Sequence, residues 1–109
     1  MKDRKRVVVT GMGAMTPLGE TVESYWDGLI SGRSGIAPMT LCDPTGFPCK
    51  VAGEVKGFDP VVYIDAKEAR RMSRVSQLAV AAALRAREDA DFGSAETIEE
   101  RMGVVLGNG

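Results

Sequence analysis

Histidine is missing from this sequence of 109 residues. The commonest general base and the commonest metal ligand are therefore absent, and chemistry that needs an imidazole must find it elsewhere. Cysteine is nearly as scarce, with only Cys42 and Cys49 present. Two thiols are too few for a disulfide framework, and no second pair exists to complete a zinc site; both read as free thiols. No apolar run approaches the roughly 18 residues needed to span a bilayer. The basic start, MKDRKR, leads into an apolar stretch that is short and broken by glycines. That does not fit a signal peptide, and the expected location is the cytoplasm. Strong net charge is lacking too: at −1, the chain as a whole exerts no pull on nucleic acid or anionic membrane. Electrostatic recognition has to come from a local cluster.

What is present is ordinary globular composition, 44% hydrophobic and 27% charged, in a length suited to one small domain. There is no internal repeat and no low-complexity segment. RVVVTGM, ending at Met12, reads as a buried strand: a β-branched run closed by glycine. ETVESYWDGLISG reads as a helix, with Thr21 as N-cap, Gly32 as the stop, and Val22, Trp26, Leu29 and Ile30 on one face. From Arg33 to Pro48 the chain is punctuated by proline and glycine, the mark of an irregular connection. KVAGEV then predicts a short strand and KGFDP a turn.

The strongest helical pattern is DAKEARRMSRVSQLAVAAALRAREDA, from Asp65 to Ala90. Asp65 can cap it, Glu68 gives a capping-box-like start, and the Ala/Leu/Arg content has high helix propensity. Met72, Val75, Ala79, Ala82, Ala83 and Ala86 share one face. These are mostly small residues, suited to close packing against another backbone. DFGSAETIEE reads as a loop or short helix, and RMGVVLGNG as a second buried strand ending in glycines. Two interior strands without neighbours cannot make a sheet, so the sequence is expected to be the N-terminal part of a larger α/β unit.

Two features bear on function. The loop after the first strand carries Gly11 and Gly13, but Thr16 and Pro17 stand where a dinucleotide fingerprint needs its third glycine and helix start. No acidic residue follows at the ribose-binding spacing, and no Gly-Lys-Ser/Thr makes a P-loop. The loop is thus read as a sharp turn leaving a crowded strand. The second feature is basic. Lys67, Arg70, Arg71 and Arg74 fall at i, i+3, i+4 and i+7, on one side of the long helix. Like charges at i, i+4 each cost about 0.2–0.5 kcal/mol, and cations near a helix N-terminus about 0.3–1 kcal/mol each. Glu68 relieves Arg71 in part. The stripe is either a solvated face or a docking site for an acidic partner, and spacing leaves both open.

Taken in order, RVVVTGMGAMTPLG, YWDGLISGRSGI, DAKEARRMSRVSQLAVAAA and MGVVLGNG resemble the start of the β-ketoacyl-acyl-carrier-protein synthases, over essentially the whole chain. The elongating type II condensing enzymes of bacterial fatty-acid synthesis are the most similar. The resemblance implies an α/β, thiolase-like fold of two similar halves, each a mixed sheet between helices. Residues 1–109 would be the N-terminal part of the first half, truncated after Gly109. It implies a homodimer in the full-length enzyme, no cofactor and no metal. The implied activity is decarboxylative condensation of malonyl and acyl thioesters carried on acyl carrier protein. A cysteine and two histidines perform it in the family, and all fall beyond Gly109; neither Cys42 nor Cys49 matches the nucleophile. These residues alone are expected to be inert. Lys67, Arg70 and Arg71 match basic positions that hold the acidic carrier protein in the family; Arg74 has no such match. Gly107, Asn108 and Gly109 resemble the segment leading to the gate of the acyl pocket, with Asn108 a small departure. The related alternatives are a polyketide-type ketosynthase or chain-length-factor subunit, and, from another class, a carrier-binding module without catalysis.

Overall fold

A computed structural model describes residues 4–93 and 99–108. The first helix, α1 (Val22–Ile30), begins as its sequence predicts. Thr21 accepts from the Ser24 amide, and Ser24 Oγ takes the Thr21 N–H in return, satisfying two orphan donors reciprocally. Gly32, at φ +69°, ends it in the left-handed region where glycine meets no Cβ penalty. The apolar face is not the side that packs. Trp26, Leu29 and Ile30 stay exposed, and the buried residue is Gly28, about 200° around from Trp26 at 100° per residue. There α1 lies against Leu18, so close that a Cβ at Gly28 would sit 3.0 Å from the Leu18 side chain.

The stretch read as irregular contains a strand. β1 (Ile36–Pro38) pairs antiparallel with β2 (Val51–Gly53), Ala37 opposite Ala52. Pro38 sits at the end of β1, where it has no ladder hydrogen bond to donate. β2 is the predicted short strand. Beyond the pair, Glu54 holds the returning loop. Its carboxylate accepts from the Leu41 amide at 2.8 Å, the Thr40 amide at 3.0 Å and the Thr40 hydroxyl at 2.9 Å. Lys56 Nζ lies 3.9 Å away.

The long helix is broken in two, a correction. α2 (Ala66–Ala69) is capped by Asp65, as expected, and α3 (Arg74–Asp89) by Ser73, which accepts from the Ser76 amide. Between them the chain tightens into three-residue turns, Arg71 N–H to Glu68 and Met72 N–H to Ala69. A serine side chain that satisfies the first turn of a new helix competes with continuation of the old one.

α3 is approached closely on its small-residue side, as the alanine stripe predicts. A Cβ at Gly13 would run into the Ala82 carbonyl oxygen; one at Gly11 would meet the Ala86 oxygen and lie 2.7 Å from the Ala90 Cβ. Asp89 secures the loop, accepting from the Met12 amide at 2.9 Å. The contact runs along Ala82, Ala86 and Ala90, while Val75 and Ala83 remain exposed. The glycines are there for backbone-to-backbone contact.

The buried apolar residues are few: Phe58, Ala69 and Ala81. Phe58 stacks on Tyr63 at 6.0 Å, and α3 brackets the pair with cations. Arg74 lies 5.6 Å from the Phe58 centroid and Arg85 5.5 Å from that of Tyr63. The radius of gyration is 17.6 Å, against about 13 Å for a compact domain of this size. The two runs expected as buried strands are a second correction. Val7 is 93% exposed and Val105 100% exposed, and neither run is paired among the described residues. A strand exists only through a neighbour's hydrogen bonds, and β1 and β2 lie elsewhere. Of the segment DFGSAETIEE, residues 94–98 lie outside the described residues; Glu99–Arg101 forms a single 3-10 turn.

Gly13→Ala is expected to destabilise by about 1–3 kcal/mol, since the Cβ must displace the α3 backbone; a urea midpoint measures it. The Leu41 amide, then the Thr40 groups, hold the Glu54 carboxyl below its usual range. A depressed carboxylate stabilises above the unfolded pKa and loses that contribution as pH falls through the folded value. Hydrogen exchange at the Leu41 and Thr40 amides, corrected for its intrinsic pH dependence, should therefore quicken on acidification, and Glu54→Gln should abolish the transition.

Candidate functional site

The basic residues occupy the joint between α2 and α3. Lys67 lies on α2 and is exposed. Arg70 is the C-cap of α2; its own Nε donates back to the Ala66 carbonyl at 3.1 Å, so the side chain folds along the short helix. Arg71 follows in the turn and is also exposed. None of the three has a carboxylate partner: among the described residues the one ion pair is Lys56 with Glu54. Asp65 and Glu68 share the segment, but neither is ion-paired with the three cations, which stay available to an acidic partner.

Arg74 does not belong with them. Arg74 is exposed as well, but its Nη2 donates to the Val55 carbonyl and its guanidinium lies over Phe58. Of the four-residue stripe expected from spacing, three cations carry no aromatic or ionic partner among the described residues, and the fourth is engaged by Val55 and Phe58. Separation eases the i, i+4 repulsion that one straight helix would impose between Arg70 and Arg74.

Residues that the sequence pattern did not single out hold this face. Gln77 Nε2 donates to the Ala69 carbonyl at 2.8 Å and reaches the Met72 carbonyl at 3.5 Å. Arg85 donates to the Tyr63 hydroxyl at 3.0 Å, a hydrogen bond that raises its already high pKa further. Ser73 had a legible signal, a capping residue ahead of a helical run; Gln77 and Arg85 had none, because their partners are set by tertiary contact.

Cys42 and Cys49 are free and exposed, in the loop between β1 and β2. Cys42 Sγ lies 3.7 Å from the Met39 sulfur, and Cys49 Sγ donates to the Val51 carbonyl. No group of three or more carboxylates and thiols gathers as a metal site among the described residues. No helix there is long and apolar enough to cross a membrane. Of the glycine segment near the end, Gly107 and Asn108 are exposed, and Gly109 lies outside the described residues.

A family model described as the β-ketoacyl synthase N-terminal domain matches residues 4–109. The chain belongs to the β-ketoacyl synthase family. Among its relatives, 3-oxoacyl-acyl-carrier-protein synthase 2 of Synechocystis is 46% identical over 107 residues, 98% of this chain and 26% of that protein. The protein of the same name from Staphylococcus aureus is 42% identical over 109 residues, 100% of this chain and 26% of its own length. The chain therefore spans about a quarter of the length of the curated relatives it matches. Solved structures agree. The ishigamide ketosynthase/chain length factor aligns with a TM-score of 0.75 at 43% identity, over 84% of this chain and 23% of that one. A β-ketoacyl synthase from Burkholderia phymatum gives 0.68 at 35% identity, over 89% and 24%. The fold class is α/β and thiolase-like, of which this chain is an N-terminal part.

Proposed function

We propose that this chain is the N-terminal part of the first thiolase-like half of a β-ketoacyl-acyl-carrier-protein synthase of fatty-acid synthesis. In that reading a cysteine elsewhere in the enzyme takes the acyl group as a thioester. Malonyl-carrier protein then loses carbon dioxide, and its carbanion attacks the thioester carbonyl and expels the thiolate. Residues 1–109 supply scaffold and no reacting group, so alone they do not catalyse. The family match across nearly the whole chain carries this reading. The sparse core and the exposed apolar runs fit a segment that packs against further parts of the same protein.

Lys67, Arg70 and Arg71 form part of the docking surface for acyl carrier protein. In support, three exposed cations lie on or beside α2 and none is held in an ion pair among the described residues, an arrangement that leaves them available to attract an acidic partner. The enzyme works as a cytoplasmic homodimer. A second reading, a polyketide-type ketosynthase or chain-length-factor subunit, is favoured by the structural match to a protein of that description. The residue at the nucleophile position of the complete protein separates them: cysteine in a synthase, another residue in a chain-length factor.

Charge reversal at Arg70 and Arg71 in the full-length enzyme should raise the KM for carrier-linked substrate about 10-fold or more at low salt and flatten its salt dependence. The KM for a carrier-free thioester should not move. An unchanged carrier KM at low ionic strength returns these cations to a solvated face.

A further inference from the structure

The three cations have no ion pairs of their own, so their direction is set by the backbone that carries them. That backbone is a joint of only a few residues, and two side chains of α3 fasten it. Gln77, half-buried, donates one amide to the Ala69 and Met72 carbonyls, which flank Arg70 and Arg71. It also shares a small apolar recess with Arg70, walled by Pro60, Val61, Ala66 and Ala69. Arg74 fastens the other side, bonding the Val55 carbonyl and standing 5.6 Å over the ring of Phe58, which is 8% exposed. One side chain ties the joint to α2; the other ties it to the segment leading out of the hairpin.

We infer that Gln77 and Arg74 are positioning residues for carrier docking: they fix the orientation of Lys67, Arg70 and Arg71 and do not touch the partner themselves. The inference rests on those three cations being the docking surface. Its physical basis is ordering cost. Long cationic side chains on a joint free to swing must be immobilised at each encounter, whereas a fastened joint has already lost that freedom. Gln77 is neutral, so its replacement alters geometry without altering charge.

The test is steady-state kinetics of the full-length enzyme with acyl-carrier protein and, in parallel, with a carrier-free acyl-pantetheine thioester. Gln77→Leu should raise the KM for carrier-linked substrate by about 3- to 10-fold. Neither kcat nor the KM for the pantetheine thioester should change. Arg74→Lys keeps the charge but loses the planar guanidinium and its forked donor set; it should give the same selective rise, and it decides the matter if Gln77→Leu does not fold. An unchanged carrier KM in these variants overturns the inference, as does a parallel loss on both substrates, which is what a merely structural role produces. Reversal at Arg70 and Arg71 is the control. If reversal raises the carrier KM and the two α3 variants do not, positioning falls and docking stands. If reversal itself has no effect, the docking reading falls and positioning with it.

Discussion

Helix α3 can be touched at backbone distance along one side, and most of the arrangement follows from that. Alanine at 82, 86 and 90 presents no more than a methyl to the Gly11–Gly13 loop, and glycine in the loop has no side chain to push back. Backbone atoms then meet at contact distance, where dispersion is strongest and a single methyl is one too many. The Asp89 carboxylate completes the contact by taking the Met12 amide. Other side chains of α3 work by different means. Arg74 and Arg85 cover the faces of a stacked Phe58–Tyr63 pair, so cations close the small core where aliphatic residues are wanting.

What could be read from the residues follows the range of the interaction involved. The caps at Thr21 and Asp65, the stop at Gly32 and the strand in KVAGEV depend on atoms within a few positions, and those readings hold in the structure. The family was legible because ordered motifs spread along the chain constrain one another more than any one does. The packed side of α1 was not legible because amphipathic periodicity tells which side is apolar, and burial depends on what arrives to cover it. Trp26 has the pattern and lacks the cover; Gly28 has no hydrophobic weight and makes the contact. The same holds for Val7 and Val105, where β-branched character marks aptitude for a sheet but cannot provide the neighbouring strand.

The site shows that limit at a single residue. On spacing, Arg74 is the last member of a basic stripe, and a helical wheel treats it as equal to Arg71. The wheel assumes one continuous axis. Ser73 ends that assumption by beginning a new helix, and the new axis carries Arg74 to the Val55 carbonyl. A long run of high propensity hid the break, since propensity measures whether residues accept a helix and says little about whether one helix or two will hold them.

The break also resolves an electrostatic difficulty. Four cations at the start of one continuous helix would repel at two i, i+4 pairs, roughly 0.4–1 kcal/mol together, and those in its first turn would also oppose the macrodipole. Dividing the helix removes the Arg70–Arg74 pair and gives Arg74 a carbonyl and an aromatic face in place of a like charge. It leaves Lys67, Arg70 and Arg71 on a stub where the dipole has hardly accumulated, because α2 is 4 residues long. The remaining repulsion, Lys67 against Arg71, is the part that an acidic partner would relieve on arrival. A surface that retains only this repulsion keeps its attraction for such a partner while losing most of what continuous helix would have cost the fold.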